Sequence, residues 1–205
     1  VAAVKLLLAT SNPGKLREYR VLAGPSNEIA LDLLPDFSSL PSFEETAPTF
    51  AENAAGKALH YSRFTEELLL AEDSGLVVPA LDGAPGPLSA RWAGPDANDA
   101  DRVNKLLDQM KDRPTSERAA RFVSVAALAR RGEAVAIFSD FVEGVLARGP
   151  QGAGGFGYDP IFLFEPLGRT FAELTVEQKN LYSHRARAFR KVVAFLRKRE
   201  AGLLL

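Results

Sequence analysis

The chain has 205 residues, a formal net charge of -1, 46% apolar and 25% charged residues, a balance that excludes disordered and fibrous classes. It has no cysteine, which removes a disulfide framework, a thiolate zinc site and a cysteine nucleophile together. A charge so close to zero gives no support to a nucleic-acid-binding surface, and no apolar run approaches the roughly 20 residues needed to span a bilayer. Neither a nucleic-acid nor a membrane partner is expected. The first ten residues carry a strand pattern rather than a signal peptide, so the expected location is cytoplasmic.

In chain order, the apolar run from Val4 to Ala9 predicts a buried strand. It stops at Thr10-Ser11-Asn12-Pro13-Gly14, and a helical pattern follows through Leu16, Tyr19, Leu22 and Ala23. Pro13 and Gly14 are tolerated there because the first helical N–H groups have no intrahelical partner. A second strand is expected at Ile29 to Leu34, then an irregular segment holding Pro35, Pro41 and Pro48. Thr49-Phe50-Ala51-Glu52 has the form of a capping box opening a helix to about Tyr61. Leu68 to Ala71 predict a short strand ended by Glu72-Asp73-Ser74-Gly75, and Pro79 to Ala97 a long structured loop. Asn98 is placed to cap a helix burying Val103, Leu106, Leu107 and Met110.

Residues Ala120 to Leu128 and Val135 to Leu146 predict two long strands around Arg131-Gly132, a hairpin. A glycine-rich loop at 152–157 leads to a short strand at Ile161 to Phe164. Two helices close the chain: Thr175-x-x-Gln178 has the form of a capping box, and Ser183 can cap a last helix with an apolar stripe of Ala186, Phe189, Val193 and Leu196. An α/β fold with a mixed sheet follows. No composition shift marks a boundary, so residues 1–205 are read as one domain.

Four constellations could carry chemistry. Thr10, Ser11, Asn12, Pro13, Gly14 and Lys15 join a strand to a helix, where exposed N–H groups, the positive helix end and a lysine make a phosphate cradle. The alternative is an ordinary turn with a solvated lysine, since the G-x-x-x-x-G-K-[ST] spacing is missing. Two acidic pairs, Glu44-Glu45 and Glu72-Asp73, stand before a helix and after a strand, where α/β proteins place magnesium ligands and general bases. Either pair alone also fits a solvated surface.

The segment Gly152 to Asp159 contains G-x-G-x-x-G, but Tyr158-Asp159-Pro160 and a strand follow where a dinucleotide fingerprint needs a helix. It fits either a loop presenting Phe156, Tyr158 and Asp159 to a flat ligand or a purely structural turn. Lys179, His184 and Arg185 can all donate hydrogen bonds to base carbonyls, or form a solvated basic helix end. His60 lies late in a helix and reads as structural or surface. With two histidines in the chain, a zinc site is not expected.

Taken together, Thr10-Ser11-Asn12-Pro13-Gly14-Lys15, Phe43-Glu44-Glu45-Thr46, Phe50-Ala51-Glu52-Asn53-Ala54, Glu72-Asp73-Ser74-Gly75-Leu76, Gly83-Ala84-Pro85-Gly86, Ser89-Ala90-Arg91, Gly154-Gly155-Phe156-Gly157-Tyr158-Asp159-Pro160 and Ser183-His184-Arg185 resemble the inosine/xanthosine triphosphate pyrophosphatase family along the whole chain. That resemblance implies an elongated mixed-sheet α/β fold of two lobes flanking a deep nucleotide-binding cleft, usually in a homodimer. It implies hydrolysis of non-standard purine triphosphates (inosine, deoxyinosine and xanthosine) to monophosphate and pyrophosphate with Mg2+. By the same resemblance, Thr10 to Lys15 bind the triphosphate, and Glu45 and Asp73 are the magnesium-associated carboxylates. Asp73 is the proton acceptor, Ser74 a substrate contact, and Phe156, Gly157, Tyr158, Asp159, Lys179, His184 and Arg185 form the base pocket. Where many members carry two aspartates, this chain has Glu72-Asp73. The rival readings are a pyrophosphatase for modified pyrimidine triphosphates and a catalytically silent nucleotide-binding protein.

Overall fold

The computed structural model describes residues 3–24 and 29–202. The chain folds as two compact units, one within Val1–Asp73, Ser124–Asp140 and His184–Leu205, the other within Ser74–Val123 and Phe141–Ser183. Three strands, β3 (Leu68–Val77), β4 (Ala119–Arg130) and β5 (Glu133–Leu146), are long enough to belong to both.

The first unit begins with β1 (Val4–Ala9), α1 (Pro13–Ala23), β2 (Ile29–Leu33) and α2 (Phe50–Tyr61). β1 pairs in parallel with β2, from Val4↔Ile29 to Leu8↔Leu33, and with β3, from Leu6↔Leu68 to Ala9↔Ala71. Because side chains alternate across a strand, the even positions Leu6, Leu8, Leu68 and Leu70 share one face with Ala126 and Leu128. They pack on Tyr19 of α1 and on Phe189 and Val192 of α5 (His184–Glu200). The odd positions Leu7, Ala9, Leu69 and Ala71 pack with Ala54 and Ala58 of α2 on the other face. The stripe expected on α5 is buried at Ala186, Phe189 and Leu196, with Val193 partly buried against the same cluster.

In the second unit α3 (Asp99–Gln109) carries the expected Asn98 cap, completed as a capping box by Asp101. β6 (Phe162–Phe164), β7 (Arg169–Thr170) and α4 (Val176–Tyr182) follow, α4 with the expected Thr175–Gln178 box. The core here is aromatic: Phe122, Phe162 and Phe171 lie with ring centroids 4.6–6.1 Å apart. The sheet order is β2-β1-β3-β4-β5-β6-β7, with β5–β6 and β6–β7 antiparallel, so the sheet is mixed as expected. Arg131 and Gly132, both with positive φ, make the two-residue turn between β4 and β5.

One strand boundary differs from the sequence reading by more than two residues. β3 does not stop at Ala71 but runs through Glu72, Asp73 and Ser74 to Val77. The carboxylates that read as a strand terminator are buried and partnered, so they do not end the ladder. Among the described residues no helix is long and apolar enough to cross a membrane.

Candidate active site

In the first unit the phosphate-cradle segment has the local structure its residues predict. Asn12 is the N-cap of α1: its Oδ1 accepts from Lys15 N–H at 3.0 Å, and its own N–H donates to Thr10 Oγ1 at 3.1 Å. Pro13 occupies the first helical position, where a missing N–H costs nothing. Thr10 and Gly14 are buried, and the positive end of α1 meets the carboxyl end of β1.

Strand register brings the acidic pair to the same end. Ala9 is level with Ala71, so Glu72 and Asp73 continue β3 just past the paired part of β1. Alternation then sends the two carboxylates to opposite faces. Glu72 joins the face of α1 and α5, where Lys15 Nζ lies 2.9 Å from Oε2, Ser124 Oγ donates to Oε1 at 3.0 Å and Arg185 Nη2 is 3.2 Å from Oε1. Arg185 also pairs with Glu18, one helical turn beyond Lys15. Two cations and two carboxylates therefore alternate along one buried chain, Lys15–Glu72–Arg185–Glu18, and every member but Lys15 is nearly sealed from solvent. Burial lowers the Arg185 pKa, but Glu72 and Glu18 outweigh it and the guanidinium is held above its ordinary value.

Asp73 turns to the α2 face. Its Oδ2 accepts from Asn53 Nδ2 at 3.0 Å. Burial raises its pKa to about 6; Lys15 and the Asn53 hydrogen bond pull it down, while Glu45 and Glu72 push it up. Glu45 sits on the segment before α2 and is paired with Lys57 at 2.7 Å. That segment is pinned to α2: Ala47 N–H donates to Asn53 Oδ1 at 2.9 Å, Phe43 N–H to Tyr61 Oη at 3.2 Å, and the Phe43 ring lies over Gly56, where a Cβ would come within 2.6 Å of it. His60, read as structural, contacts the Pro41 carbonyl at 2.8 Å.

The second unit holds the aromatic loop. Asp159 Oδ2 accepts from Phe156 N–H at 2.9 Å and from Lys179 Nζ at 2.5 Å. Lys179 in turn lies 4.9 Å from the Phe156 ring centroid, and Tyr158 Oη donates to the Ser89 carbonyl at 3.0 Å. Gly155 has φ +70, and any Cβ there would fall 2.1 Å from Asp159 Oδ2, so the turn requires glycine. Ser74 and Gly75 follow Asp73 along β3, and a Cβ on Gly75 would strike Ser89 Oγ at 2.3 Å.

The residues expected at the site thus fall into two groups. Thr10 to Lys15, Glu45, Asp73, His184 and Arg185 lie in the first unit; Ser74, Phe156 to Asp159 and Lys179 lie in the second. His184 and Arg185 open α5 and are buried.

A family model described as the Ham1 family matches residues 6–195. The chain belongs to the Ham1 family. The family resemblance and the mixed α/β fold read from the sequence are both borne out. A dITP/XTP pyrophosphatase of Symbiobacterium thermophilum is 49% identical over 185 residues, 90% of each chain. A protein of the same description from Geobacillus kaustophilus is 45% identical over 188 residues, 92% of each chain. Among solved structures, a HAM1 protein from Coxiella burnetii superposes with a TM-score of 0.83 at 39% identity, covering 95% of this chain and 99% of that one. A nucleoside-triphosphatase, dITP/XTP pyrophosphatase, from Mycobacterium abscessus gives 0.70 at 40% identity, covering 94% and 100%.

Within this Ham1-family chain the structure adds residues to which the sequence reading gave no role. Glu18, Asn53, Lys57 and Ser124 each touch a site residue directly. The signal for Asn53 was a weak helix former set between Glu52 and Ala54 in the first turns of α2. For Glu18 it was a carboxylate one turn from Lys15, beside the core residue Tyr19.

Proposed function

We propose that this chain hydrolyses non-standard purine nucleoside triphosphates, such as those of inosine and xanthosine, to the monophosphate and pyrophosphate. The activity named for its relatives supports this, and one observation supports it above the rest. Asp73 is a largely buried carboxylate with a pKa raised to about 6, beside the lysine-bearing start of α1. A base tuned close to neutrality is what water activation needs, and simple nucleotide binding has no use for it.

Magnesium fits the donor set in kind. Among the described residues no group of three or more His, Asp or Glu side chains forms a cation cage. Magnesium, however, commonly takes one or two carboxylates and fills its shell with substrate phosphates and water, and Glu45 is close enough to Asp73 to raise its pKa. Glu45 and Asp73 would hold the ion, which when bound would neutralise charge on the phosphate oxygens.

The chain's own groups do the rest. Lys15 and the positive end of α1 draw in and orient the triphosphate. Asp73 accepts a proton from water as its oxygen bonds to the α-phosphorus; the bond from that phosphorus to the bridging oxygen breaks, and pyrophosphate leaves with the electron pair. In the second unit Phe156 offers a stacking face for the base, while Lys179 with Asp159 and Ser74 supply polar contacts. Arg185 acts at one remove, since its guanidinium is committed to Glu18 and Glu72.

A homodimer fits the same reading. Ile137 and Phe141, four residues apart on β5, are 49% and 43% exposed, and one strand face presents both. Sedimentation equilibrium at micromolar concentration should show the dimer mass. For the reaction, incubation with inosine triphosphate and Mg2+ should release inosine monophosphate and pyrophosphate in equal amounts. Orthophosphate with inosine diphosphate would refute attack at the α-phosphorus, and no turnover would favour a silent nucleotide-binding protein.

A further inference from the structure

The aromatic loop of the second unit is fixed by a residue that belongs to none of the motifs above. Gly157 N–H donates to Asp99 Oδ2 at 2.7 Å. Asp99 is the first residue of α3, and its other oxygen is engaged by Arg102. The Arg102 guanidinium also donates to the Ala90 carbonyl at 2.9 Å and to the Ala97 carbonyl. Residues 157, 158 and 159 are therefore anchored in turn: Gly157 on Asp99, Tyr158 on the Ser89 carbonyl, Asp159 on Lys179. Ser89 is itself held, accepting from Leu76 N–H at 2.9 Å and donating to the Gly86 carbonyl at 2.6 Å.

Two ordinary explanations of Asp99 fall short. An acidic residue in the first turn of a helix complements its dipole, but Asn98 and Asp101 already complete the capping box, and the Asp99 carboxylate points to Gly157 instead. A buried structural hydrogen bond is the other explanation, yet the Asp99 side chain is 47% exposed, so the contact adds little to stability. What it does fix is the main chain between Phe156 and Tyr158, where Gly157, at φ +62, has the conformational freedom of a glycine.

We propose that Asp99 is a positioning residue for base recognition, holding the 156–159 loop at the height and tilt that sets Phe156 against the purine, and that Arg102 ties this setting to the 89–97 segment. The proposal rests on the reading that the 156–159 loop receives the base. The 156–159 loop carries the proposed base contacts and none of the groups assigned to the phosphates, so the effect belongs in substrate binding rather than in the step at phosphorus.

The test is steady-state kinetics of the full chain with inosine triphosphate, using Asp99→Ala, Asp99→Asn, Asp99→Glu and Phe156→Ala. Asp99→Ala should raise KM about 10-fold with kcat within about 3-fold of wild type. Asp99→Asn keeps an acceptor oxygen for Gly157 and should restore KM to within about 3-fold. Asp99→Glu keeps the charge and the Arg102 partner while moving the acceptor by one methylene, so its KM should rise whether or not the alanine variant folds. An unchanged KM in Asp99→Ala or Asp99→Glu overturns the proposal, as does an asparagine variant no better than alanine. Phe156→Ala separates the two ideas: if it leaves KM unchanged, the base-binding reading of the loop fails whatever Asp99 does.

Discussion

The side-chain amide of Asn53 joins the two halves of the acidic site: its Nδ2 donates to Asp73 at 3.0 Å while its Oδ1 accepts from Ala47 N–H at 2.9 Å, two residues beyond Glu45. A third contact, Nδ2 to the Ala47 carbonyl at 3.3 Å, completes the clamp, and the residue is almost fully buried. The hydrogen bond to Asp73 favours its ionised form and lowers its pKa. Asn53→Ala should therefore move the acid limb of the kcat/KM profile upward from its wild-type position near pH 6. Turnover at pH 7 should fall about 10–100-fold as Asp73 and the Glu45 segment lose their common support. An acid limb left in place would detach Asn53 from the base.

Asp73 carries a cost in stability that its chemistry explains. Its folded pKa of about 6 lies above the unfolded value of 3.8. The contribution is therefore favourable when the group is protonated, full below the unfolded pKa and lost as pH rises through the folded one. Above pH 6 the folded protein carries an ion it would hold more cheaply as a neutral group, a penalty of at most about 3 kcal/mol. Asp73→Asn should lower kcat by about 10²–10⁴-fold and, at pH 7.5, raise the midpoint of urea unfolding relative to wild type. At pH 4 the stabilisation should shrink toward zero. A variant both inactive and less stable at pH 7.5 would argue that Asp73 holds the fold together.

The buried chain Lys15–Glu72–Arg185–Glu18 makes the opposite prediction. Removing one charge from a buried network leaves its partners uncompensated, which costs about 3–5 kcal/mol. Arg185→Met should destabilise the protein on that scale, since both Glu18 and Glu72 lose their cation. Glu18→Gln should cost less, because Arg185 keeps Glu72. Equal midpoints for the two variants in chemical denaturation would show that the network is not shared in this way.

This network also marks where reading the sequence reached its limit. The strand–loop–helix start, the α2, α3 and α4 caps and the Arg131-Gly132 turn are local, and local rules placed them. The end of β3 was misplaced because Glu72 and Asp73 look solvent-seeking unless their partners are known, and those partners lie far off in the chain: Ser124 is 52 residues away and Asn53 is 20. Arg185 pairs with Glu18 across 167 residues, a relation no window of sequence contains. Asp99 escaped notice for the same reason, being an ordinary helix-start acid until Gly157 is brought to it.

Lys15 offers a test of the phosphate end that is blind to the base. Its ammonium is held by Glu72, yet 14% of the side chain stays exposed. Lys15→Ala should lower kcat/KM for inosine and guanosine triphosphates by the same factor, because the phosphates are common to both. A loss confined to one of them would move Lys15 to a different subsite.

Base selectivity is where the geometry most changes the prediction. Inosine and xanthosine carry an oxygen at purine position 6 where adenosine carries an amino group. A rim of donors therefore suits the former and meets the latter donor to donor, at roughly 1–3 kcal/mol for each buried group left unsatisfied. Lys179, however, is no isolated donor: its ammonium sits 2.5 Å from Asp159 Oδ2, and both side chains are at most 3% exposed. Lys179→Ala would strand a buried carboxylate, and its loss of activity would mix misfolding with misrecognition. The informative variant removes both charges at once, Lys179→Met with Asp159→Asn, keeping volume and leaving no ion unpaired. Its ratio of kcat/KM for inosine over adenosine triphosphate should fall about 10-fold or more while Phe156 still stacks either base. An unchanged ratio in a folded double variant would take the pair out of discrimination.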